Sequence, residues 1–188
     1  LSLKFYRKKD PTQAAAVTPI CFLMQIDQTS WDSGTLDLTL YKDHYIFAND
    51  YSNLVQTNAS LRKLGQVFAY ENGFGAALLI NNHKRLVEST HGSVFLIQNE
   101  NLQTPALSEG AVNTVFRSVF IDFLKKERKI EGVEMEIPVF SIQQAREVFL
   151  ISSAHGFVNI SQFRKKRFET QKAEALAEQF LDYLKNQL

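Results

Sequence analysis

Long hydrophobic runs are missing from this sequence. No stretch approaches the roughly 20 apolar residues that span a bilayer. Cysteine is nearly absent, and the lone Cys21 excludes an internal disulfide framework and a multi-cysteine zinc site. An excess of charge of either sign is also missing. The 21 basic and 20 acidic side chains leave a formal net charge of +1, which gives no reason to expect a nucleic-acid or membrane-surface partner. Four histidines, His44, His83, His91 and His155, are isolated from one another, and none lies in an HExxH or CxxC setting. There is no GxGxxG or GxxxxGKS/T loop and no serine in a nucleophile elbow, and no basic-then-apolar leader is expected. What remains is 188 residues, 45% apolar and 22% charged, a composition suited to one folded core, or to a domain plus part of another. The expected location is cytoplasmic. The chain opens on Leu1, directly in a strand-like run, and is expected to be the middle of something longer.

Periodicity gives the coarse organisation. Leu1, Leu3 and Phe5 alternate with Ser2, Lys4 and Tyr6, the period of a half-buried strand. Residues 8–11 read as a turn, and 20–26 as a short buried strand. Leu36, Leu38 and Leu40 mark another strand. At residues 58–71 the period changes: Leu61, Leu64 and Phe68 fall at helical spacing, with Val67 beside them. Asn58 is the expected cap of this helix and Asn72-Gly73 its stop. Residues 111–126 form the clearest helix, with one stripe running from Val112 through Phe116, Phe120 and Phe123. Further strands are expected at 76–80, 93–97, 133–137, 147–152 and 157–163. A polar turn is expected at 98–101, a short helix at 141–145 and a last helix from near Thr170. The alternation lacks the regular rhythm of a doubly wound sheet, so the expected class is α/β (α+β) with a mixed sheet or irregular barrel.

Three local features carry possible chemistry. Residues 86–90 (LVEST) put Glu88 at the end of an apolar strand, either as a surface carboxylate or as a buried acceptor for a protonated ring nitrogen. Residues 108–114 (SEGAVNT) feed the strongest helix, where unpaired N–H groups are either simply capped or face an anion. Residues 152–156 (SSAHG) end another apolar strand and form a second possible anion cradle.

Their order is what makes them specific. Residues 86–97 (LVESTHGSVFLI), 104–110 (TPALSEG), 114–117 (TVFR), 145–154 (AREVFLISSA) and Gly156-Phe157 resemble the class IV aminotransferases. These are pyridoxal-phosphate enzymes of fold type IV and include branched-chain and D-amino-acid aminotransferases and aminodeoxychorismate lyase. The resemblance covers almost the whole chain but only the later part of a typical member. The earlier part, which in the family carries an arginine for the cofactor phosphate, has no counterpart here. The resemblance implies a D-amino-acid-aminotransferase-like fold. Residues 1–27 would be the remnant of a small N-terminal α/β domain, 28–35 an interdomain linker, and 36–188 a large mixed-sheet, pseudo-barrel domain. It also implies a homodimer acting on a small amino-acid-like substrate, with no nucleic-acid, membrane or metal partner. Glu88 matches the glutamate that pairs with the pyridine nitrogen and keeps it protonated. The family's Gly-Ile-Thr-Arg phosphate loop falls on Thr114-Val115-Phe116-Arg117, which assigns the backbone of Val115 and Phe116 to the cofactor phosphate. The second phosphate element falls on Ser153 and Ala154, with Ser152 beside it. Three positions depart from the pattern: Thr114 replaces glycine, Phe116 replaces a hydroxyl-bearing residue, and Arg146 reverses a charge.

The largest departure lies at the start of the helix before strand 76–80, where the family commonly reads Leu-Lys-Thr-x-Asn. Counted back from Glu88 without a gap, that motif falls on Leu54-Val55-Gln56-Thr57-Asn58. Val55 therefore occupies the position of the Schiff-base lysine. A valine forms no imine and moves no proton, and positioned proton transfer alone is worth roughly 10²–10⁴-fold. Lys63 and Lys84 are expected to be solvated. The expectation is a class IV aminotransferase-like protein with no intact catalytic set and impaired or absent pyridoxal-phosphate catalysis, binding the cofactor non-covalently at best. Two alternatives stand beside it. One is an active amino-acid aminotransferase or 4-amino-4-deoxychorismate lyase, and the other is a non-catalytic dimeric ligand-binding or interaction protein.

Overall fold

The computed structural model describes the backbone of residues 2–7 and 20–25, and residues 34–186 in full. The chain divides into two units, Leu1–Ser30 and Trp31–Leu188. In the first, β1 (Ser2–Arg7) pairs antiparallel with β2 (Ile20–Gln25), with Ser2 opposite Gln25 and Arg7 opposite Ile20. The turn at 8–11 and most of the linker at 28–35 lie outside the described residues.

The second unit runs β3 (Thr35–Leu40), α1 (Ala59–Glu71), β4 (Ala76–Ile80), β5 (Leu86–Ser89), β6 (Ser93–Gln98), β7 (Asn101–Pro105) and α2 (Val115–Glu127). It continues through β8 (Glu134–Met135), β9 (Glu147–Ser152), β10 (Gly156–Phe163), β11 (Lys166–Arg167) and α3 (Gln171–Lys185). The strand order is β5-β4-β3-β10-β9-β6-β7-β8, with β11 folded back on β10. The pairs β3–β10, β3–β4 and β7–β8 are parallel and the others antiparallel, so the sheet is mixed. Its two ends approach each other. The Leu86 N–H donates to the Ile137 carbonyl at 2.8 Å, and Arg85 bridges to Pro138, so the segment after β8 pairs with the start of β5. The sheet thus curls into the barrel-like shell expected from the irregular strand rhythm.

Three apolar clusters hold this shell. Leu38, Leu78, Leu86, Leu96, Leu150 and Ile160 fill its inside. α2 and α3 cover Phe95, Phe149 and Ile151 on one outer face. α1 covers Ala77, Leu79 and Val87 on another. β4 is buried along its whole length because its residues alternate between the first and third of these clusters. A continuous apolar run is the signature of such a two-sided strand.

Several elements differ from their sequence expectation for physical reasons. The helix expected from residue 111 begins at Val115, because Thr114 caps it by accepting from the Arg117 N–H at 3.2 Å. Asn113 is held away from helical geometry by donating its N–H to the Asn53 carbonyl at 3.0 Å. Asn58 precedes α1 but makes no side-chain capping bond. Within α1 the expected apolar stripe holds in part: Leu61 and Phe68 pack against the third cluster, Leu64 and Val67 are exposed, and the fully buried residues are Gly65 and Ala69. A Cβ on Gly65 would stand 3.0 Å from Leu79 Cδ2, so this helix approaches the sheet on its smallest residues. β7 is an added strand. Asn99 and Glu100 both adopt left-handed backbone (φ 47° and 70°), giving the tight two-residue hairpin that joins β6 to β7. The short helix at 141–145 is a 3₁₀ turn over Val139–Gln144.

Phe120 is the hub of the second cluster, with ring centroids at 5.0 Å from Phe180, 5.1 Å from Phe95 and 5.2 Å from Phe157. Phe120→Ala is expected to lower unfolding free energy by about 3–5 kcal/mol, and Tyr70→Ala on the exposed face of α1 by less than about 0.5 kcal/mol. Urea unfolding of the two variants checks both values.

Candidate functional site

The site is built on the edge where β5 meets α1. Leu78 pairs with Ser89 and Leu79 with Glu88, and the register then jumps to Ile80 with Leu86. Val87 is therefore the extra residue of a β-bulge. Strict alternation would send Val87 and Glu88 to opposite faces. The bulge turns both toward α1, where Val87 joins the cluster with Ala69 and Glu88 reaches Arg62.

Glu88 is 4% exposed, so the surface-carboxylate reading of it is excluded. Arg62 Nε donates to its Oε1 at 2.6 Å, and the Val112 backbone N–H also donates to it. Burial pushes the Glu88 carboxyl above the ordinary glutamate range, against the opposing pull of the Arg62 charge and these hydrogen bonds. The other end of the guanidinium is tied as well, since Nη1 donates to the Val55 carbonyl at 2.7 Å. One arginine side chain thus bridges positions 55 and 88.

Val55 sits in the turn before α1, with its side chain 55% exposed. That turn is fixed from below. Asn53 Nδ2 donates to the carbonyls of Leu107 (2.8 Å) and Ala111 (2.7 Å), which stitches it to the loop entering α2. Lys63 is exposed on α1, and Lys84 is exposed in the turn after β4, with φ 59°.

The residues expected to meet the phosphate lie at the start of α2 and in the turn between β9 and β10. The Thr114 hydroxyl caps its own helix, as above. Val115 is 81% exposed at the first position of α2. The Phe116 ring lies edge-on to Phe180 at 5.4 Å and belongs to the aromatic cluster. Arg117 is buried and donates to the Pro105 carbonyl and Glu134, both at 2.9 Å, a structural role. Ser153 and Ala154 occupy the exposed turn between β9 and β10. Beside them the structure corrects one expectation: His91 and His155 are not isolated, and their rings lie 4.5 Å apart. Burial and then His155 lower the His91 pKa. Among the described residues no group of three metal-ligating side chains forms, and no helix is long and apolar enough to cross a membrane.

Arg62 is the residue that sequence reasoning missed. Its signal was its helical position: residues 62, 65 and 69 share one face of α1, and the last two are the buried ones. A charge in line with Gly65 and Ala69 requires a buried partner.

Comparison with known proteins gives a consistent result. The Amino-transferase class IV family matches residues 4–163. A probable branched-chain-amino-acid aminotransferase from Aquifex aeolicus is 31% identical over 91 residues, covering 48% of this chain and 29% of that protein. Among solved structures, a putative 4-amino-4-deoxychorismate lyase from Legionella pneumophila superposes with TM-score 0.75 at 24% identity, over 91% of this chain and 62% of that one. A branched-chain amino acid aminotransferase from Thermobaculum terrenum, solved in its PLP-form, gives TM-score 0.72 at 18% identity, over 79% and 50% of the two chains. The chain therefore spans less than two thirds of the length of each of these proteins. Tested against pyridoxal 5′-phosphate, the described residues do not fit the group. The carboxylate matched to the ring nitrogen is already paired with a guanidinium, and the position matched to the amine carries an isopropyl group.

Arg62→Met leaves a buried carboxylate without its cation and is expected to cost about 3–5 kcal/mol at neutral pH. In that variant the folded pKa of Glu88 rises further above its unfolded value. Stability then falls as pH rises between the two values, and the deficit is smallest at the acid end of that window. Arg62→Met with Glu88→Leu removes both charges and is expected to recover most of the loss. Denaturant titrations of the three proteins across the acid-to-neutral range check the size and the sign.

Proposed function

We propose that this chain, which belongs to the class IV aminotransferase family, keeps the fold of these enzymes without their covalent cofactor chemistry. The observation that carries the reading is Val55, at the turn where the family pattern places its lysine. Pyridoxal phosphate, when bound, supplies an electron sink to an amino-acid substrate. An amine must hold its aldehyde and move the substrate proton. Val55 does neither, and the exposed Lys63 and Lys84 do not replace it. On this reading any pyridoxal phosphate is held non-covalently at best. Glu88 and the loops at Val115-Phe116 and Ser153-Ala154 are remnants of its site.

The resemblance to branched-chain aminotransferases supports an ancestral substrate of the amino-acid class. The domain reading is part of the same proposal, with residues 1–27 from a small domain, 28–35 as linker and 36–188 as the large domain. The chain is proposed to pair as a homodimer. Phe47, Tyr51, Leu54 and Val55 are all exposed in the segment before α1, a density of large apolar side chains that suits a covered face. Sedimentation equilibrium is expected to return twice the chain mass, and a strictly monomeric result would remove the pairing.

The catalytic reading is tested by incubating the protein with pyridoxal 5′-phosphate, recording the visible spectrum, reducing with borohydride and mapping labelled peptides. The expected result is no coloured adduct and no single labelled lysine. Stoichiometric label on one lysine would overturn the reading.

A further inference from the structure

We infer that Arg62 is a built-in substitute for the cofactor ring: its guanidinium occupies the hydrogen-bonding position of a protonated ring nitrogen at Glu88 and closes the site to pyridine ligands. The inference rests on the reading above, in which Glu88 and Val55 mark the two ends of the ancestral ring position.

The geometry supports it from both ends. Arg62 Nε meets Glu88 Oε1 at 2.6 Å and Nη1 meets the main-chain carbonyl of Val55 at 2.7 Å, so one planar cation ties the carboxylate to the backbone of the turn at position 55. A guanidinium N–H and a pyridinium N–H offer a carboxylate the same charge-assisted hydrogen bond. Arg62 engages only Oε1, but both groups would compensate the same single negative charge, so they compete at Glu88 through charge and space. The guanidinium is enclosed as well as bonded. The Arg62 side chain is only 16% exposed, and its remaining nitrogen, Nη2, is buried without a partner among the described residues. The Arg62 side chain is thus largely withdrawn from solvent.

There is a physical reason for such a substitution. A buried carboxylate that loses its cationic ligand is strongly destabilising. Arginine stays charged under all working conditions and holds its donors in a rigid plane. Supplied from α1, it keeps Glu88 compensated with no ligand present. Its reach depends on the close approach of that helix through Gly65 and Ala69, and on the bulge that turns Glu88 toward it.

The test is equilibrium dialysis of the full chain against pyridoxine 5′-phosphate. This probe carries the ring nitrogen and the phosphate but no aldehyde, so lysine chemistry plays no part. Wild type is expected to show no saturable binding. Arg62→Ala is expected to gain at least about tenfold in affinity, and Arg62→Ala combined with Glu88→Gln to lose that gain. Arg62→Gln, read by thermal shift with and without the probe, makes the same comparison should the alanine variant fail to fold. Equal binding by wild type and Arg62→Ala would overturn the inference. So would a gain that survives Glu88→Gln, or no gain in either Arg62 variant. A borohydride-fixed lysine in the earlier experiment would defeat the non-covalent reading and leave these outcomes separately readable.

Discussion

A carboxylate shut away from water must be neutralised, and in this protein Arg62 neutralises Glu88. The rest of the site is arranged around that pair. Glu88 faces α1 only because the bulge at Val87 breaks the alternation of β5. Arg62 reaches it only because α1 lies against β4 on a glycine and an alanine. The Val55 carbonyl is available to the guanidinium because Asn53 anchors the preceding turn to the loop that enters α2.

A second polar network holds the seam of the shell close by. Arg85, at the start of β5, pairs with Glu109 at 3.0 Å and with Glu136 at 2.8 Å. Asn81 Nδ2 donates to the same Glu109 at 2.7 Å. Glu109 lies in the loop before α2, and Glu136 directly after β8. The ion pairs therefore join the two ends of the sheet where backbone bonding is sparse. Such a polar core is costly when half satisfied and specific when complete. It gives the loop that carries Val112 a fixed position from which its N–H meets Glu88.

The sequence made the strands easier to read than the site. Residues 76–80 are an unbroken apolar run and 147–152 carry one at 148–151, and both segments are strands with the expected bounds. Elements whose limits depend on other parts of the chain were less legible. The start of α2 is set by Thr114 and by Asn53, which lies some sixty residues earlier. β7 depends on two non-glycine residues in left-handed backbone. The face of α1 was read only in part: Leu61 and Phe68 pack inward, but apolar size also pointed to Leu64 and Val67, where close packing chose Gly65 and Ala69. Val55 and Glu88 stood out in the sequence because they fall in a familiar order of motifs, and the burial of Glu88 needed the structure. Arg62 was not, because its partner is 26 residues away and faces it only through a bulge. The departures at Thr114 and Phe116 were visible as substitutions, but their physical outcomes, a helix cap and an aromatic contact, needed the structure.

The most direct measurement is a crystal structure of this chain grown with excess pyridoxal 5′-phosphate. The account predicts the Arg62 guanidinium within hydrogen-bonding distance of both the Glu88 carboxylate and the Val55 carbonyl, with no ring between them. A pyridine ring with its nitrogen against Glu88 and Arg62 swung away would contradict it.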